Sequence, residues 1–184
     1  MRVPVEGGAA DEVLHSKTYV SHVCSRGGLC LLVERDAQQR VHYELDPLKG
    51  KGRELFRTDL FFGDATISPD AQSIAFIASD ANAFPRNRIR IVKRDGRTER
   101  ELVVAGATFL TSLDWSADGK ALYSGSVLLP GGSALLQIDL NGNARTLWRQ
   151  PGSHETWAIP SPDGKYLALL GSTIDSNAWL VENF

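Results

Sequence analysis

One turn signature recurs along this chain at a nearly fixed interval, and it restricts the fold more than any other feature. Ser68-Pro69-Asp70, Ser116-Ala117-Asp118-Gly119 and Ser161-Pro162-Asp163-Gly164 each precede an apolar run, respectively Ile74-Ala75-Phe76, Ala121-Leu122-Tyr123 and Tyr166-Leu167-Ala168-Leu169. Their serines stand 48 and 45 residues apart. A weaker copy, Cys24-Ser25-Arg26-Gly27-Gly28-Leu29-Cys30, places its serine 43 residues before Ser68. A second turn series, Glu6-Gly7, Lys49-Gly50, Asp95-Gly96 and Asn141-Gly142, has glycines 43, 46 and 46 residues apart. Two independent markers with one period identify an internal repeat.

Each repeat reads as four short strands, labelled a to d. Strand a runs into the Ser-x-Asp turn. Strand b follows it at 73–78, 121–126 and 166–171. Strand c is expected at 41–45, 88–93, 134–140 and 178–182, and strand d at 53–57, 100–104 and 144–149. No stretch sustains a helical period. Strand b is apolar on both faces in Ile74–Ile77 and Leu167–Leu170, which predicts burial from two sides. Strand c alternates, with Ile89 and Ile91 on one side and Arg88 and Arg90 on the other. Four strands per unit and a period near 45 residues predict an all-β fold, a β-propeller of four-stranded antiparallel blades.

The turn residues have a local explanation. Asp70, Asp118 and Asp163 can accept backbone N–H groups two residues on. Pro69 and Pro162 preset φ, and Gly119 and Gly164 tolerate positive φ. A catalytic or metal-binding role for the aspartates would need them to converge, and one acid per repeat on separate blades does not. No cofactor or metal is expected.

Composition narrows the function classes. The 184 residues are 42% hydrophobic and 23% charged, enough to build a packed core, with a net charge of −2. This balance does not favour nucleic acid as a partner. No apolar run approaches the length of a membrane span, and the first residues lack the apolar core of a signal peptide. Arg86, Arg88, Arg90, Lys93, Arg94, Arg97 and Arg100 form a basic cluster, but Glu99 and Glu101 offset it and no aromatics are interleaved, so it reads as a solvated outer strand and turn. His15, His22, His42 and His154 have no metal-ligand spacing. A Gly-x-Ser-x-Gly elbow, a His-Arg-Asp loop and an Asp-Phe-Gly segment are all missing from the sequence.

The segment Ser161-Pro-Asp-Gly-Lys165 followed by Tyr166-Leu-Ala168 resembles the TolB-like, WD-type β-propeller repeat, and the likeness extends through Ser68–Phe76 and Ser116–Tyr123. The ending, from Trp157 to Phe184, is similar to the C-termini of bacterial multidomain proteins. In those, a propeller follows a membrane-anchored serine/threonine kinase domain or a winged-helix DNA-binding domain. The resemblance implies a non-catalytic binding or scaffold module, the sensor or docking part of a larger signalling protein. The alternative is a remnant of a parent enzyme, the kinase or a propeller-bearing serine peptidase. It also implies an extracytoplasmic site if the parent is anchored, and a cytoplasmic one otherwise.

The repeat divides the chain into a partial blade at 1–17, blades at 18–58, 59–106 and 107–152, and a partial blade at 153–184. Residues 2–14 are expected to supply strands c and d of a preceding blade. Three whole and two partial blades suggest a piece of a larger propeller, with a small four-bladed ring sealed by its two termini as the alternative. Cys24 and Cys30 flank the first a–b turn, opposite each other if Gly27 is central, at a separation a disulfide can span. Membrane-anchored relatives would favour that disulfide, and a reduced pair is the alternative. The b–c loops 79–87 and 127–133 are the expected contact elements for a protein or small-molecule ligand. Trp115, Trp148, Trp157 and Trp179 are expected to pack between blades, with Trp157 and Trp179 as candidates for a partner surface.

Overall fold

The structure is a computed structural model of the whole chain and describes residues 1–36, 39–58, 65–78 and 84–173. Fifteen strands and no helix occur among the described residues. The first sheet is β1 (Val20–Cys24), β2 (Cys30–Arg35), β3 (Arg40–Asp46) and β4 (Gly50–Thr58), antiparallel in sequence order. The second is β5 (Ala65–Ile67), β6 (Ser73–Ala78), β7 (Arg88–Lys93) and β8 (Thr98–Val103), in the same order. In the third, strand a is split into β9 (Phe109–Leu110) and β10 (Asp114–Trp115), both paired with β11 (Ala121–Val127). β12 (Ser133–Asp139) and β13 (Ala144–Gln150) complete it. A hairpin of β14 (Ser153–Pro160) and β15 (Leu167–Thr173) follows. This is an incomplete propeller of meandering four-stranded blades.

The central strand of the second sheet shows why an unbroken apolar run suits this position. Ile74 and Phe76 of β6 are 0% and 1% exposed and pack toward Leu29 and Leu31 of the first sheet. Ala75 and Ile77 point the other way, into a core shared with Leu113, Trp115, Leu122 and Leu136 of the third. Burying each large side chain contributes about 1.5–3 kcal/mol. Two separate cores therefore flank one strand, and stacking of sheets holds the molecule together.

The third sheet and β14 meet through hydroxyls instead. Ser112 Oγ accepts the Gly125 N–H at 2.9 Å and donates to the Thr156 carbonyl at 3.0 Å. Ser124 Oγ donates to the Ser112 carbonyl at 2.6 Å, and Ser133 Oγ and Thr156 Oγ1 share a hydrogen bond of 2.5 Å. The Ser112–Gly125 and Ser124–Ser112 bonds satisfy backbone groups that the break between β9 and β10 would otherwise leave buried and unpaired.

Two regions differ from the sequence expectation. Residues 2–14 form no strands; Arg2 and Asp11 make one antiparallel bridge around a turn in which the Gly7 N–H meets the Pro4 carbonyl. The carbonyl of Val13 nevertheless lies against Gly50 much as Phe56 lies against Gly96 and Val103 against Gly142. Residue 13 thus occupies the place that strand d of each sheet takes beside the next. The apolar run Leu167–Leu170 is not buried on both faces: Leu169 is 47% exposed and Leu170 66%. No further sheet covers β15 among the described residues, so the second apolar face that buries β6 has no counterpart there. The expected strand c at 178–182 lies outside the described residues.

Candidate functional site

The repeated turns are the most uniform local geometry in the chain. In each, serine Oγ donates to the aspartate two residues on: Ser68 to Asp70 at 2.6 Å, Ser116 to Asp118 at 2.7 Å, and Ser161 to Asp163 at 2.6 Å. Each aspartate also accepts a backbone N–H, from Gln72, Lys120 and Lys165, at 3.1 Å. The same serine oxygens accept the N–H of Ser73, Ala121 and Tyr166. The serine hydroxyl, then the backbone N–H, holds each carboxyl below the usual aspartate range. Gly119 and Gly164 have φ of 69° and 70°, and Ala71, the counterpart in the second sheet, has φ of 60°. These aspartates act within their own turns.

The turns also stack. Gly27 adjoins Ala71, Pro69 adjoins Gly119, and Ala117 adjoins Gly164. Arg26 Nη1 donates to the Pro162 carbonyl at 2.5 Å, linking the first turn to the last. Cys24 and Cys30 are directly paired across the first turn and joined by a disulfide, with Cα atoms 4.0 Å apart.

Inner strands from all four sheets border one cavity of about 230 Å³. Its lining includes His22 and Cys24 of β1, Thr66 of β5, Asp114 of β10 and Trp157 of β14. Asp114 Oδ1 accepts the Trp115 N–H at 2.8 Å and the Thr66 hydroxyl at 3.2 Å. Burial raises the Asp114 carboxyl above its ordinary range; the Trp115 N–H, the Thr66 hydroxyl and the charge of Arg26 oppose the rise. A carboxylate so placed can accept a donor or pair with a cation, and the poorly solvated surroundings strengthen either interaction.

The sequence did not single out Asp114, Thr66 or His22. The available signal was positional. Two residues before the turn serine, the repeats carry Val23, Thr66, Asp114 and Ile159. An ionisable side chain there breaks an otherwise uncharged position on the strand nearest the axis. Trp157 is 42% exposed at the cavity edge, whereas Trp115 is buried in the core between the second and third sheets. Trp179 lies outside the described residues, as do residues 79–83 of the first b–c loop. The remainder of these loops presents Phe84 and Leu129, 70% and 71% exposed, at the end of the sheets opposite the Ser-x-Asp turns. The basic cluster is interleaved with acid: Arg88 and Arg90 meet Glu101, Arg94 meets Glu44, and Arg97 meets Asp95.

No family model matches the chain, and no curated protein matches it. Solved structures do. TolB from Acinetobacter baumannii superposes with a TM-score of 0.73 at 22% identity over 95% of this chain and 43% of that one. An uncharacterized protein from Listeria monocytogenes gives 0.57 at 17% identity, over 88% of this chain and 54% of its own. Prolyl oligopeptidase B from Galerina marginata gives 0.57 at 16% identity, over 88% of this chain and 28% of its own. The chain thus spans about half or less of each of these proteins. At such identities the likeness is one of fold: this chain is a partial β-propeller with the fold it shares with TolB.

Proposed function

We propose that this chain is a non-catalytic binding propeller, the sensor or docking part of a larger bacterial signalling protein, and that it takes its ligand at the cavity between the inner strands. One observation carries the reading: strands from all four sheets bring His22, Thr66, Asp114 and Trp157 to a single cavity. Rigid sheets that hold polar groups and one aromatic around a concave site suit recognition. Asp114 is the one carboxylate among the described lining residues, so the ligand class it suits carries a cation or strong donor beside an apolar flank.

The test is thermal-shift and calorimetric titration of the full chain with N-acetylarginine amide, a minimal guanidinium probe. Saturable binding that is lost in Asp114→Asn and weakened in Trp157→Ala supports the reading. Equal binding by Asp114→Asn, or none by the unaltered chain, overturns it. The parent protein is a separate matter, settled by reading the native open reading frame on both sides. A kinase or winged-helix frame upstream supports the signalling assignment, and a hydrolase frame downstream supports the peptidase alternative, which the fold likeness to prolyl oligopeptidase B keeps open.

A further inference from the structure

Two repeat positions depart from an uncharged pattern, and they do so with opposite signs. Directly after the turn serine the repeats carry Arg26, Pro69, Ala117 and Pro162. Two residues before it they carry Val23, Thr66, Asp114 and Ile159. The cation belongs to the first sheet and the carboxylate to the third. Val23, Thr66 and Asp114 line the cavity. Arg26 stands in the turn that follows Val23 and Cys24, at the end of the cavity where the Ser-x-Asp turns gather.

The turn that carries the arginine is anchored. The Cys24–Cys30 disulfide closes its base. Within it, the Ser25 N–H donates to the Leu29 carbonyl at 2.8 Å, and Gly27 lies so close to Ala71 that a Cβ there would overlap it. From this turn Arg26 reaches toward the third Ser-x-Asp turn, where its Nη1 donates to the Pro162 carbonyl at 2.5 Å. Arg26 is exposed, and that acceptor is neutral. Its charge also acts on Asp114, opposing the effect of burial on the carboxyl. A guanidinium bonded to a neutral carbonyl can exchange that acceptor for a carboxylate, gaining a charge-assisted contact with two parallel hydrogen bonds. One arginine and one aspartate balance a ligand that bears one charge of each sign.

We propose that the ligand of this cavity is an amino-acid-like zwitterion, its cationic end on Asp114 and its carboxylate on Arg26, which lets go of the Pro162 carbonyl to take it. The proposal rests on the cavity being the binding site. The anchored turn presents the guanidinium at a small ordering cost. Trp157, at the cavity edge, flanks the apolar stem between the two charges.

A matched pair of probes tests this by calorimetric titration of the full chain: N-acetylarginine, which has a free carboxylate, and N-acetylarginine amide, which lacks it. The carboxylate is expected to tighten binding by about tenfold or more, the worth of a hydrogen-bonded ion contact. In Arg26→Ala that advantage should fall to about twofold or less. Arg26→Gln, which can still donate to the Pro162 carbonyl but has no charge, should lose it as well, and circular dichroism checks that both variants keep the β signal. If the amide binds and the carboxylate adds nothing, or if its advantage survives in both Arg26 variants, the zwitterion assignment is overturned while the cavity remains the binding site. Binding of neither probe overturns both.

Discussion

Gly125 packs directly against the carbonyl oxygen of Thr156, leaving no space for a side chain between the third sheet and β14. A Cβ there would overlap that oxygen and press on Thr111 Oγ1. Gly125→Ala should therefore destabilise the chain by about 1–3 kcal/mol, the usual cost of overpacking. Gly131→Ala, at a glycine with open space around it, is the matched control and should change little. Urea midpoints of the two variants decide the point.

The turn serines should differ in worth although their bonds look alike. Ser116 is 6% exposed, and its Oγ both donates to Asp118 and accepts from Ala121. Ser161 makes the equivalent bonds at an exposed site. Leaving a buried N–H without its acceptor costs about 1–3 kcal/mol, whereas water replaces the bond at the surface. Ser116→Ala should thus lower stability clearly more than Ser161→Ala in parallel denaturation curves.

Reduction of the Cys24–Cys30 disulfide should remove roughly 2 kcal/mol, the chain-entropy value for so short a loop. The Cys24→Ser/Cys30→Ser double variant should match the reduced protein and show no further response to dithiothreitol. A variant as stable as the oxidised chain would mean that cross-strand pairing alone holds the hairpin.

His42 supplies a pH dependence with a definite sign. Its imidazole stacks on Phe56 with ring centres 4.3 Å apart, and Nε2 shares a hydrogen bond of 3.1 Å with Thr58 Oγ1. Burial first, and then the positive charge of Arg40, lower its pKa from 6.5 to about 4. Above pH 6.5 the ring is neutral in both folded and unfolded chains, and the stability it permits is fully present. As the pH falls toward 4, the unfolded chain takes up a proton that the folded site resists, so stability is lost across this window. The total is about 3 kcal/mol. His42→Phe should flatten the slope between pH 6.5 and 4.5, which a series of denaturation midpoints would show.

Legibility in the sequence followed the range of the interactions. The Ser-x-Asp turns close every bond within five residues, so residue type and spacing carry them in full. Strands β6 and β7 begin and end where the apolar runs do, because their hydrogen-bonded partners are adjacent in the chain. Asp114 was unreadable as a site residue, because its meaning depends on Thr66 and Trp157, each more than 40 residues away.

The sequence alone determined the period, the turn chemistry and the all-β blade, since these rest on local backbone preferences and on neighbouring strands. Only the tertiary structure decided which apolar faces are covered and which polar groups share a cavity. The runs Ile74–Ile77 and Leu167–Leu170 look equivalent as text, yet one lies between two sheets and the other beside one. Burial is set by what stacks against a strand from elsewhere in the fold, and no residue encodes its distant neighbour.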